Sequence, residues 1–280
     1  MFNFSMLAAD KAAAGLDQKI RLCSELQISN MELNDKLEGK SIADWSGEEV
    51  EYGRNQLIAN HKKIVLLNGS RPVTDYDYYK KLLTKALLLQ VEHVKVTIRG
   101  TGDAAEEGAR ADGGGEVGGE PSRSAGSSAD PGEGEIEALR KLVAAARVQG
   151  IGLVVENDSL SCLSDDRKLA ALYNRIKDEN TAVIYNPLEF VRVKAHPFFH
   201  AFYNSKLKGK IRFLRVNDGL FADGRPVLPG EGNAEVKELA SILLKRSYKG
   251  YFSFTPYMPD SDPAMYRSML DRFHKMLMEL

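Results

Sequence analysis

The 280-residue chain is 43% hydrophobic and 28% charged, carries a net charge of −1, and has two widely separated cysteines, Cys23 and Cys162. These values describe a globular protein that needs no disulfide framework, and they give no electrostatic reason to expect nucleic acid or an anionic membrane as a partner. No apolar run approaches the roughly 18 residues of a membrane helix, and MFNFSMLAADK lacks the basic segment and long apolar core of a signal peptide, so the cytoplasm is the expected compartment.

Strand and helix patterns alternate from the start. Residues 2–7 form a short apolar strand, followed by a helical pattern over 8–27 and a strand over 28–34. A helix at 48–61 leads into the strand KIVLLNGS at 63–70. The next helix, 75–90, has Asp75 or Thr74 as its N-cap, and HVKVTIRG (93–100) alternates with the period of a strand. A helix over 135–150 closes on Gly150 before the strand at 151–158. Then come a helix at 164–178 capped by Ser164, a strand at 181–187, a helix at 195–209 and a strand at 211–218. A helix at 233–250, a strand at 250–256 and a helix at 262–280, with Asp262 as cap and Pro263 first, complete the chain.

Eight strand–helix units in strict alternation imply a parallel sheet with helical crossovers, and their number and length match one (β/α)8 TIM barrel over 1–280. An open doubly wound sheet would carry a glycine-rich phosphate loop after its first strand, and AADKAAAG at 8–15 is not one. One stretch breaks the rhythm. Residues 100–135 are rich in Gly, Ser and acids, contain no aromatic residue, and bury too little apolar surface to offset the entropy of ordering. They are expected to form a disordered insertion after the fourth strand.

In such a barrel the C-terminal strand ends converge on one cavity. On HVKVTIRG the apolar Val94, Val96 and Ile98 belong outside against helices, which leaves Lys95, Thr97 and Arg99 inside. The same alternation puts Asn30 and Glu32 inside on strand two, Asn68 on three, Glu156 on five, Asn186 on six, Arg215 on seven and Thr255 on eight. Polar residues are costly to bury unpartnered, so this set predicts a ligand pocket.

The run AAARVQGIGLVVEND (144–158) resembles a signature of the xylose isomerase-like barrels, the sugar phosphate isomerase/epimerase superfamily. LPGEGNAEV (228–236) resembles their turn before the last helix, and IRFLRVNDG and GYFSFTP their seventh and eighth strands; the likeness covers the chain outside 100–135. The resemblance implies a divalent metal held by Glu, Asp, His and Glu on strands five to eight. Those places hold Glu156, Asn186, Arg215 and Thr255, so three of the four are changed. The family's Asp-x-x-His reads Asn186 to Glu189, and of its His-x-x-Asp only Asp218 remains. Arginine has no lone pair to give a metal. No cofactor is therefore expected, and if Mn, Mg, Zn or Co binds, Glu156 is the one ligand retained.

Arg215 then either pairs with Glu156 in the metal's place or grips a substrate carboxylate or phosphate. We assign catalysis to Glu156 and Arg215, and substrate binding to Glu32, Asn68, Arg99, Asn186, Glu189, Asp218 and Thr255. With Thr255 where the resemblance implies a second glutamate, the family's proton-transfer pair is broken, and Glu189 or Glu32 is the substitute. His61 and His93 fall at strand starts, the wrong end for catalysis, and His196 and His200 read as an incidental surface pair. The expected function is that of an isomerase or epimerase acting on, or binding, a small polyol, ketose or sugar acid. The alternatives are a ligand-binding or assembly protein that has lost the chemistry, and association of identical chains is left open.

Overall fold

The computed structural model of the protein describes residues 2–100, 130–203, 206–259 and 261–280. Eight parallel strands close into a barrel: β1 (Phe4–Leu7), β2 (Asn30–Asn34), β3 (Lys63–Pro72), β4 (His93–Thr97), β5 (Gly152–Glu156), β6 (Thr181–Tyr185), β7 (Ile211–Arg215) and β8 (Tyr251–Phe254). Neighbours in sequence are neighbours in space, and β8 returns to β1 with Phe4 opposite Phe252 and Met6 opposite Phe254. Around it lie α1 (Leu16–Glu25), α2 (Gly47–Ala59), α3 (Tyr76–Leu88), α4 (Glu133–Val148), α5 (Asp166–Ile176), α6 (Pro187–Arg192), α7 (Val236–Lys245) and α8 (Pro263–Met278). This is the single (β/α)8 barrel that the alternation predicts. No described helix is long and apolar enough to cross a membrane.

The helix starts follow capping chemistry. Ser46 and Glu49 form a reciprocal capping box on α2, Asp75 accepts from the Tyr78 amide on α3, and Asp262 accepts from Met265 ahead of Pro263. Helix α5 begins one residue later than expected, because the Asp165 carboxylate, not the Ser164 hydroxyl, takes the Lys168 amide.

The expected helix over 195–209 is replaced by pieces. Pro187 starts the short α6 directly after β6, Lys194 at φ 61° stops the chain, and Pro197 opens a π-helical turn, Pro197–Phe202, before a short 3-10 turn at Lys206–Gly209. Pro197, in the first turn of the expected helix, opens π-helical in place of α-helical geometry, and the short α6 has already ended before it, ahead of the left-handed Lys194. The expected disordered insertion lies, over 101–129, outside the described residues, and its last three residues, from Glu133, are the first turn of α4. There the Glu135 carboxylate accepts from the backbone amides of Arg99, Gly100 and Gly132.

The barrel interior has two layers. Below, toward the strand N-termini, Val65, Leu66, Val154, Ile184, Phe213 and Tyr251 form an apolar plug. His93 lies beside it, its ring edge-on to Phe213 at 5.4 Å. Nδ1 of His93 lies 3.2 Å from the Val65 carbonyl, and Nε2 accepts from Arg212 Nε at 3.2 Å. Both contacts are satisfied only by the neutral ring. Burial, reinforced by the Arg212 guanidinium, holds the His93 pKa down at about 4.

A histidine that stays neutral in the fold but charges when unfolded contributes stability that is full above the unfolded value, near 6.5, and is lost as pH falls through about 4. Urea unfolding between pH 7 and 4 is expected to show a loss approaching about 3 kcal/mol from this group. In His93→Gln that part of the pH slope should vanish; an unchanged slope would show that His93 is not its source.

Candidate functional site

The upper layer of the barrel is charged. Arg215, the last residue of β7, points inward and is nearly sealed from solvent, its side chain 3% exposed. Its Nε donates to Glu156 Oε1 at 3.0 Å and its Nη2 to Oε2 at 3.2 Å, a two-pronged bond to the end of β5. Its Nη1 donates to Glu32 on β2 and, at 2.6 Å, to the Ser253 hydroxyl on β8. Ser253 and Ser5 donate in turn to the other oxygen of Glu32, at 2.5 and 2.6 Å. On β4, Lys95 Nζ reaches Glu156 Oε2 at 3.3 Å.

Burial alone would raise the Glu156 pKa; Arg215 and Lys95 outweigh it and hold the carboxyl at about 2. Burial likewise opposes the charge of Arg215, and Glu156 and Glu32 overcome it, so the guanidinium is permanently charged. Of the two roles open to Arg215 from sequence, the pairing with Glu156 is present in the structure: four of its five N–H groups are directed at carboxylates and a serine of its own barrel.

Above this layer opens the mouth. A cavity of about 580 Å³ is lined by Asn34, Asn68, Lys95, Glu156, Arg215 and Thr255 among others, and a second of about 370 Å³ shares Lys95, Glu156, Asn186, Glu189 and Arg192 with it. Asn186 caps α6 beside Glu156, its Nδ2 donating to Oε1 at 3.2 Å, while the Asn157 side chain holds its backbone on both sides. Thr255 donates to Asn217 Oδ1 at 3.0 Å. Asn68 donates to the Leu33 carbonyl at 3.1 Å, but its buried Oδ1 has no partner among the described residues.

Glu189 sits in the first turn of α6, where Pro187 fixes the start, and is 8% exposed. It accepts from the Ser159 amide at 3.0 Å and hydroxyl at 2.5 Å and pairs with Arg192, whose buried Nε is also unpartnered among the described residues. Burial pushes the Glu189 pKa up, and Arg192 and Ser159 only partly offset it. The floor of the β1–α1 loop is set by Lys19, a buried cation bonded to the Ala8 and Ala13 carbonyls and to Asp10.

Three expected binding residues lie elsewhere. Glu32 is buried beneath the mouth and is consumed by Arg215 and the two serines. Asp218 is also buried, and its carboxylate accepts from the amides of Gly219, Gly230, Gly232 and Ala234, folding the PGEG loop onto β7. Arg99 is exposed and lines neither cavity; its backbone amide is held by Glu135. Conversely, alternation put Lys95 inside but gave it no role, and it lines both cavities. Ser159, Asn217 and Arg192 lie in loops or a short helix, where no periodicity marks them.

The divalent metal that the family resemblance implies does not fit these residues. The guanidinium of Arg215 occupies the space between the carboxylates that a cation would need, Asn186 donates to the Glu156 carboxylate, and Thr255 is engaged with Asn217. Among the described residues no group of three or more His, Cys, Asp or Glu side chains converges to hold a metal ion.

Fold and site together define a TIM barrel with a polar mouth above an internal ion-pair layer. The fold is that of the xylose isomerase-like TIM barrels. One such protein from Mycobacterium smegmatis, solved in complex with magnesium, superposes with a TM-score of 0.71 at 15% identity, covering 99% of this chain and 97% of that one. The 3-keto-D-glucoside 4-epimerase from E. coli superposes with a TM-score of 0.71 at 13% identity, covering 98% and 100%. At these identities the likeness is one of fold. In sequence, 91 residues are 35% identical to fructoselysine 3-epimerase of Escherichia coli O157:H7, spanning 31% of this chain and 32% of that enzyme, so the chain spans about a third of the length of the curated relatives it matches. No protein-family model matches the chain.

Removing one member of a buried charge cluster strands the others. Arg215→Met is expected to cost about 3–5 kcal/mol in denaturant unfolding, and the triple change with Glu32→Gln and Glu156→Gln to recover most of it. A mild Arg215→Met, below about 1 kcal/mol, would show that water reaches the cluster and screens it.

Proposed function

We propose that the chain is an isomerase or epimerase of small polyhydroxylated carbohydrates, working by proton transfer at the barrel mouth without the metal that the family resemblance implies. The observation that carries the reading is Glu189: a buried carboxyl lining the mouth cavity, with its pKa raised, while Glu156 is held at about 2 and is a poor base. Unpartnered Asn68 Oδ1 and Arg192 Nε, an acceptor and a donor in the cavity walls, suit the hydroxyls of a polyol. The names of fructoselysine 3-epimerase and 3-keto-D-glucoside 4-epimerase support the same ligand class.

In this reading Glu189 takes the proton from the carbon beside a carbonyl. The C–H electron pair becomes the enolate double bond, and the charge that develops on the oxygen faces the Lys95 ammonium. Return of the proton to the former carbonyl carbon, with the hydroxyl proton passing from one enediol oxygen to the other, isomerises the sugar; delivery of a proton from water to the opposite face of the original carbon epimerises it. Arg215 stays with its carboxylates and acts on the site by keeping Glu156 ionised and Lys95 in place.

The test is wash-in of deuterium from D2O into a panel of ketoses, keto-sugars and sugar phosphates, followed by NMR. Glu189→Gln should lower exchange by about 10²- to 10⁴-fold with little loss of ligand affinity. Since the Glu189 pKa is raised, exchange should fall on the acid side of a value above the usual glutamate range. Activity should survive exhaustive chelation. Ligands that raise the melting temperature with no exchange in any case would sink the enzymatic reading in favour of a binding protein.

A further inference from the structure

At the opposite end of the barrel from the mouth, the starts of β6 and β7 and the turn before β8 enclose a cavity of about 310 Å³. Its walls carry Lys208, Lys210, Arg212, Arg246 and Lys249 against a single carboxylate, Glu179. Such an excess is out of keeping with a chain whose net charge is −1. Arg212 is partly neutralised by Glu92, 3.7 Å away. Among the described residues, no carboxylate lies within ion-pair distance of the other four cations. Two of these lysines rest on aromatic faces, Lys208 on Tyr203 at 4.8 Å and Lys210 on Tyr173 at 5.1 Å, which fixes their position without cancelling their charge. One cation would offset the partial negative charge at the C-terminus of α7; the others do not follow from it.

A second observation comes from a neutral group. Thr181, the first residue of β6, lines the same cavity and is 2% exposed, yet its hydroxyl has no hydrogen-bond partner among the described residues. A buried hydroxyl left unpaired costs free energy unless something supplies the partner. An oxygen-rich anion does so, accepting from the hydroxyl and from the ammonium groups together.

We propose that this cavity binds a small phosphorylated compound. A monocarboxylate brings one charge, whereas a phosphoryl group brings nearly two and three acceptor oxygens, which matches several converging cations and a donor hydroxyl. The enclosure by three strand starts favours a compact ligand over a flat anionic surface. The site is separate from the mouth, and its occupancy does not depend on what the mouth binds. It does bear on β6, β7 and β8, whose far ends lead to Asn186, Arg215 and Thr255.

The test is calorimetric titration of the full chain with pyrophosphate, with inorganic phosphate alongside, at low and physiological salt. One pyrophosphate per chain is expected, weakening with salt. The pair Lys210→Gln and Lys249→Gln should weaken it by about tenfold or more, and Thr181→Val by a few-fold, with the ligand-free melting temperature of each variant confirming an intact fold. The exposed pair Lys141→Gln and Lys275→Gln, with the same change in net charge, should leave it unaltered. Absence of binding, equal weakening in both pairs, or binding that survives the cavity variants would each overturn the proposal. So would attraction to anionic vesicles or oligonucleotides without affinity for pyrophosphate.

Discussion

The barrel closes around one guanidinium. Arg215 reaches from β7 to carboxylates on β2 and β5 and to a serine on β8, so a single side chain ties four strands across the interior. Two carboxylates buried without it would repel each other and lose hydration; a cation buried without them would be as costly. The serines on β1 and β8 complete Glu32's hydrogen bonds, and Lys95 and Asn186 complete those of Glu156. The polar upper layer is thus self-consistent, and the apolar plug beneath it supplies the dry surroundings that make each of these bonds strong.

This arrangement changes what the mouth is able to do. A carboxylate clamped by arginine is a fixed negative charge, poor at accepting protons, so Glu156 serves to orient Lys95 and Asn186. Burial drives a second carboxyl, Glu189 on α6, toward its neutral form at the same cavity, and that is the group to which we propose the proton transfer belongs. Aligned barrels with a dozen or so per cent identity share the scaffold, and function on such a scaffold is set by a handful of strand-end side chains.

Much of the scaffold was legible in the sequence. Period-two alternation on β4 marked its inner face, and strict alternation of strands with helices left little choice of topology. The pairing of Arg215 with Glu156 was one of two roles that residue type left open, and it is reached across the barrel interior between the ends of β7 and β5. What stayed hidden was contributed by loops and short helices. Asp218 read as a relic of a metal-site motif, but its four amide bonds belong to the loop after β7, a long-range contact that no local pattern encodes. Arg99 was placed inside by parity, which fails where a strand has ended: β4 stops at Thr97. The helix expected over 195–209 gives way to a π-helical turn and a 3-10 turn, departures from α geometry that composition does not announce.

The Glu135 carboxylate gathers the amides of Arg99, Gly100 and Gly132 at one point, so the chain leaves the barrel after β4 and comes back at almost the same place. A segment whose two ends are already fastened together exerts no pull on the strands it interrupts, and lengthening it adds only a slowly rising closure entropy. The β4–α4 junction is therefore a socket: evolution can exchange whole stretches of sequence there, or an engineer can seat a foreign domain, while the eight strands keep their register.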